Sequence, residues 1–105
     1  PQGLPGYPSA RTWRRRAEQR ARAMTRLCWR EDGFYDFDWR RGSATDYVSA
    51  TNLWPLWAGL ATPEQGRVLV SETLPRLVER GGVAAGSEAS RGELNEFRTP
   101  RQWDF

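Results

Sequence analysis

The stretch Asp46–Val70 reads DYVSATNLWPLWAGLATPEQGRVLV, and its centre carries the clearest punctuation in the chain. Thr62 can accept a bond from the amide three residues on, Pro63 suits a first helical position, and Gln65 can reach back to close a capping box. A helix therefore starts at Pro63, with Leu69, Val70, Thr73, Leu74, Leu77 and Val78 as its apolar stripe. Pro75 must bend or end its regular part, because proline lacks the amide hydrogen and crowds the preceding turn. The run ERGG, residues 79–82, then stops it. Upstream, Thr45 or Asp46 can cap a second helix reaching to about Ala61. Its apolar residues Val48, Leu53, Trp54, Leu56, Trp57 and Leu60 lie nearly all the way round, which predicts burial on most sides. Pro55 inside it should kink or break it.

Further towards the N-terminus, residues 1–9 are rich in Pro and Gly and read as a connecting loop, after which Ser9 can cap a helix. From Arg11 to Trp29 the positions Trp13, Ala17, Ala21, Met24, Leu27 and Cys28 recur at steps of three and four, so one amphipathic helix lays this stripe on a core. Met24 and Cys28 on that stripe are read as packing. Between the two helices, Tyr35, Phe37 and Trp39 alternate with Asp36 and Asp38, flanked by Asp32-Gly33 and Gly42-Ser43. This period of two predicts an extended segment or small hairpin. Asp36 and Asp38 would point the same way, as a pair of catalytic carboxylates does; a solvent-facing edge accounts for them equally well. From Gly81 the chain turns to Gly, Ala, Ser and charge, and reads as a long loop of the kind that carries function on a helical scaffold.

The 105 residues, 38% hydrophobic and 28% charged, leave room for a single domain with a modest core. All sixteen basic residues are Arg, for a net charge of +3, and acidic residues follow the Arg-rich stretch closely. That pattern reads as a solvated helix face rather than a nucleic-acid footprint. With no His and one Cys, the chain holds no zinc ligand set, no internal disulfide and no His-activated nucleophile, and no cofactor is called for. No apolar run approaches the ~18 residues of a membrane span. Six Trp, four Phe and three Tyr are a heavy aromatic load that must be covered by the fold, a partner or a ligand.

These elements define an all-α chain: three helices, a short extended or hairpin insert, and a long C-terminal loop. Leu53, Trp54, Trp57 and Leu60 need more neighbouring helices than the sequence provides, so the chain is expected to be a slice of a larger array of paired helices. A toroid, with its long loops on one rim around a central pocket, fits that pattern.

Leu56–Val70, then LPRLVERGGVAAGSEASRG from Leu74 and PRQWDF from Pro100, resemble the trehalases, most closely the neutral type known from fungi. That family carries a signature of Gln-Trp-Asp, any residue, Pro, any residue, a small residue and Trp; Gln102, Trp103, Asp104 and Phe105 match its first four places. The resemblance covers residues from about Trp13 onward. It implies a partial (α/α)6 toroid belonging to one catalytic domain, with 1–9 a connecting loop, 10–80 a helical hairpin region and 81–105 a pocket-side loop. It further implies hydrolysis of α,α-trehalose to two glucose molecules with inversion. In the family the acid Asp precedes this region and the base Glu follows it, so no catalytic residue is assigned here. Gln102, Trp103 and Asp104 are implied to wall the sugar pocket, with Arg101 bracing the loop or holding Asp104; Trp103 either lines the pocket or anchors the loop. Glu88 and Arg91 are expected to pair and hold the loop. The implied partners are trehalose and the remainder of the catalytic domain, with no nucleic acid and no membrane, and the neutral type favours the cytoplasm. Two other readings stay open: a related α-glycosidase on the same toroid acting on another sugar, and an Arg-rich helical module binding nucleic acid through Arg14, Arg15, Arg16, Arg20, Arg22 and Arg26.

Overall fold

The computed structural model describes residues 3–91, and of Arg91 the backbone alone. The first helix, α1, spans Ala10–Cys28, and Ser9 caps it by accepting from the Thr12 amide at 3.2 Å. No residue of α1 is buried, and Trp13 is 55% exposed. The stripe from Trp13 to Cys28 is therefore present without a core beneath most of it.

Two small antiparallel hairpins follow. In the first, β1 (Trp29–Arg30) pairs with β2 (Gly33–Phe34) in the register Trp29 with Phe34, their rings 4.9 Å apart. Gly33 is required here: a Cβ would stand 2.8 Å from Thr73 Oγ1, at a φ of +159°. In the second, β3 (Phe37–Asp38) pairs with β4 (Ser43–Ala44). The Asp38 carboxylate accepts from the amides of Arg40 and Arg41 at 2.9 and 3.2 Å, and so shapes the turn.

The second helix departs from expectation. Residues after β4 stay extended, a 3-10 turn covers Ala50–Leu53, and α2 is a single turn, Trp54–Trp57. Asn52 causes the upstream break, because its side chain accepts from the Ser49 amide and donates to the Tyr47 carbonyl, offering the backbone an alternative to helix. Pro55 takes the first turn of α2, where its missing amide costs nothing. Gly59, at φ +71°, then ends it, with Leu60 N bonding Pro55 O and Gly59 N bonding Leu56 O in a Schellman arrangement.

The third helix begins as read. In α3 (Pro63–Val68), Thr62 accepts from Gln65 N at 3.2 Å while Gln65 Oε1 accepts from Thr62 N at 2.9 Å. The helical path continues as a wider π turn over Leu69–Thr73 and a tight 3-10 turn over Leu74–Arg76. Pro75 brings no amide to an α turn there, and the backbone changes pitch instead. Beyond it, β5 (Val78–Glu79) pairs with β6 (Gly82–Val83), and α4 spans Glu88–Arg91. The end of the expected third helix and the start of the expected loop thus join in a hairpin, and a helical turn follows; the other two ladders lie in the expected extended or hairpin insert.

The core is small. Tyr35, Val48 and Leu77 form it, with Ala44 and Leu53 packed against it, and Phe34 and Leu69 are buried as well. It lies between the α1–α2 connection and the C-terminal part of the third helix. Trp54 and Trp57, predicted to be buried, are 64% and 87% exposed, because no described residue of this chain covers their side of α2. Among the described residues, no helix is long and apolar enough to cross a membrane.

Candidate functional site

The two long connections, one before α2 and one after the third helix, pack on each other. The Ala50 amide donates to the Ala85 carbonyl and the Ser87 amide to the Val48 carbonyl, both at 2.9 Å, across a bridge between Ser49 and Gly86. Ser90 Oγ accepts from the fully buried Val48 amide at 2.9 Å and from Ser87 Oγ at 3.0 Å. On the opposite strand of this clasp, Ser49 Oγ donates to Asn52 Oδ1 at 3.1 Å. Ser49, Asn52 and Ser87 are all buried. This clasp escaped the sequence reading; its signal was a set of small polar residues, Ser49 and Asn52, set three apart inside an apolar run.

Beside the clasp, the buried Tyr35 links the first hairpin to the third helix. Its hydroxyl donates to Asp32 Oδ2 at 2.9 Å and accepts from Arg76 Nη1 at 3.3 Å. The Arg30 guanidinium sits 4.9 Å from the Tyr35 ring centre and donates to the Thr45 carbonyl. Burial pushes the Tyr35 phenol above its ordinary value, the bond to Asp32 adds to this, and Arg76 opposes it. The phenol is thus a neutral strut. Cys28 is likewise pushed up by burial and then by the charge of Asp36, which favours the thiol over the thiolate.

Arg101, Gln102, Trp103 and Asp104, the residues implied to meet the sugar, lie outside the described residues. The expected pair of Glu88 and Arg91 falls on α4, with the Arg91 side chain outside them too. Asp36 and Asp38 do not act as a pair: Asp36 is exposed, while Asp38 serves its own turn and lies 3.7 Å from Arg41 Nε. The seven arginines of α1, among them the six named for a nucleic-acid module, are exposed, with Arg16 stacked over Trp13. Among the described residues, no three His, Cys, Asp or Glu gather as a metal site would require.

Comparison with known proteins places this arrangement. The family model described as Trehalase matches residues 6–105, and the chain belongs to the trehalase family. Relatives named as cytosolic neutral trehalases are among the proteins similar to the chain. A cytosolic neutral trehalase of Beauveria bassiana is 42% identical over 99% of this chain, and one of Emericella nidulans is 41% identical over 92%. A solved structure of neutral trehalase from Saccharomyces cerevisiae matches 92% of the chain at 40% identity with a TM-score of 0.82. The chain spans 15% and 13% of the length of those two relatives and 18% of the solved chain.

Proposed function

We propose that this chain is part of the catalytic domain of a cytosolic, neutral-type α,α-trehalase that hydrolyses trehalose to two glucose molecules with inversion. The observation that carries the reading is the family match over residues 6–105, joined to neutral trehalase relatives near 40% identity. An inverting glycosidase sets a carboxylic acid and a carboxylate ~6.5–9.5 Å apart, so that one protonates the leaving oxygen and the other activates a water. No Asp or Glu in this chain is assigned either task.

In this reading the chain forms part of an (α/α)6 toroid, in which the remainder of the catalytic domain supplies the acid and the base. Residues 81–105 are the pocket-side loop. Trp103 offers a flat apolar face for the C–H side of a pyranose, while Gln102 and Asp104 offer the donors and acceptors that sugar hydroxyls need. Arg101 braces them. The family match and the resemblance of Gln102–Phe105 to the trehalase signature support these assignments.

The test uses the full-length protein from the intact reading frame, given trehalose and a panel of α-glucosides and α-mannosides. Glucose should be released from trehalose alone; preferential cleavage of another α-linked sugar would move the chain to a relative on the same toroid.

A further inference from the structure

Arg20 is out of place on α1. The helix carries seven arginines against the single Glu18, and Arg11, Arg15, Arg22 and Arg26 share the face away from the apolar stripe, where water solvates them. Arg20 stands inside the stripe instead. Trp13, Ala17, Met24 and Leu27 lie seven, three, four and seven residues from it, the spacings that put helical side chains on one face. With Gln19, Ala23, Met24, Leu27 and Cys28 it lines an open hollow of about 430 Å³. Arg41 and Arg67 have Asp38 and Glu64 at 3.7 and 3.4 Å, whereas no acceptor meets the Arg20 guanidinium among the described residues. Covering such a stripe takes the guanidinium out of water with it, and a charge so placed must be given an opposite charge.

We propose that the Arg20 face of α1 docks against a segment of the remainder of the catalytic domain that brings aliphatic side chains to Trp13, Met24 and Leu27 and a carboxylate to Arg20. This rests on the reading of the chain as one part of a larger domain, and the substrate does not enter it. Two observations select that occupant. The chain spans 15% of one neutral trehalase relative and 18% of the solved chain it matches, so most of such a protein lies outside these residues and is held close to α1 by the same polypeptide. Charge complementarity is the second. A second copy docked α1 to α1 would set seven arginines against seven, and a nucleic acid would offer phosphates to Arg20 but no aliphatic cover to Met24 and Leu27.

The experiment uses the full-length protein from the intact reading frame. Hydroxyl-radical footprinting read by mass spectrometry compares the oxidation of Trp13 and Met24 in the native protein with that of the same residues in urea. Both should be slowed about tenfold or more, and native rates within about twofold of the urea rates mean an open face and overturn the proposal. Protection that vanishes on dilution identifies a second copy as the cover and overturns it as well. Thermal melts of Arg20→Met, Arg20→Lys and Arg22→Met test the carboxylate. Arg20→Met keeps the apolar bulk of the side chain but leaves the facing carboxylate unpaired, and should lower Tm by about 5 °C or more, while Arg22→Met on the solvated face stays within about 1 °C of wild type. Arg20→Lys, which retains a charge, should recover about half of the loss. An Arg20→Met protein no less stable than Arg22→Met overturns the proposal. The footprint needs no variant, so it decides where Arg20→Met does not accumulate in soluble form. Neither readout uses trehalose, so a failed trehalose assay bears on the substrate reading alone.

Discussion

Gly33 and Tyr35 show how much of this structure turns on single atoms. An added Cβ at Gly33 meets the Thr73 hydroxyl at 2.8 Å, the same hydroxyl that donates to the Asp32 carbonyl. Gly33→Ala should therefore lower stability by about 1–3 kcal/mol, read as a fall in Tm or denaturant midpoint of the full-length protein. Tyr35→Phe removes the hydroxyl shared by Asp32 and Arg76, and should cost about 1–2 kcal/mol at neutral pH. Its pH dependence has a definite sign. The folded-state pKa lies above the ordinary value of 10, so the Tyr35 contribution is complete below that value and fades as pH rises through the raised pKa. Stability curves of wild type and Tyr35→Phe should run parallel at neutral pH and converge in strong alkali. Gly33 could be read as a turn residue from Asp32-Gly33, yet its contact with Thr73 could not, because the two are distant in sequence. The same holds for Tyr35: its aromatic alternation was legible, and its bond to Arg76 was not.

At the scale of elements, legibility followed the caps. Thr62, Pro63 and Gln65 state the start of α3 in local chemistry, and the structure forms both bonds of the box. Thr62→Ala should cost about 0.5–2 kcal/mol of stability, measured by the shift in thermal or denaturant midpoint. Ser9 was legible before α1 for the same reason. The second helix was misread because its apolar residues have helical spacing while the side chain of Asn52 competes for the backbone, and that competition depends on a local geometry that periodicity does not carry. The hairpin β5–β6 was missed because Val78 and Val83 flank only a short run of Glu, Arg and Gly, which reads equally well as a helix stop. The clasp joins Val48 to Ser90 and Ser49 to Gly86, residues far apart in the chain, so no local pattern could announce it.

At the scale of the whole molecule, the apolar surface is the main fact. Trp54, Trp57 and Val70 are exposed, and an open groove lined by Leu56, Ala61, Pro63 and Val70 lies close by on α3. Such a surface belongs to a chain that packs against more protein. The isolated 105-residue chain should self-associate, and Trp54→Gln with Trp57→Gln should raise its soluble monomer fraction in size-exclusion chromatography; a sharp cooperative melt of the monomeric wild-type chain would contradict this. The same deficit was legible in the sequence as too many large side chains for too few helices. In the proposed function the pocket wall falls to this chain and the acid and base to the rest of the catalytic domain. Trehalose itself offers the sharpest test, because inversion at one anomeric carbon leaves the other glucose with its original configuration. Early proton NMR spectra of the full-length protein acting on trehalose should show one α-glucose and one β-glucose per disaccharide, before mutarotation mixes them. Release of α-glucose alone, or no cleavage of trehalose, would contradict the account.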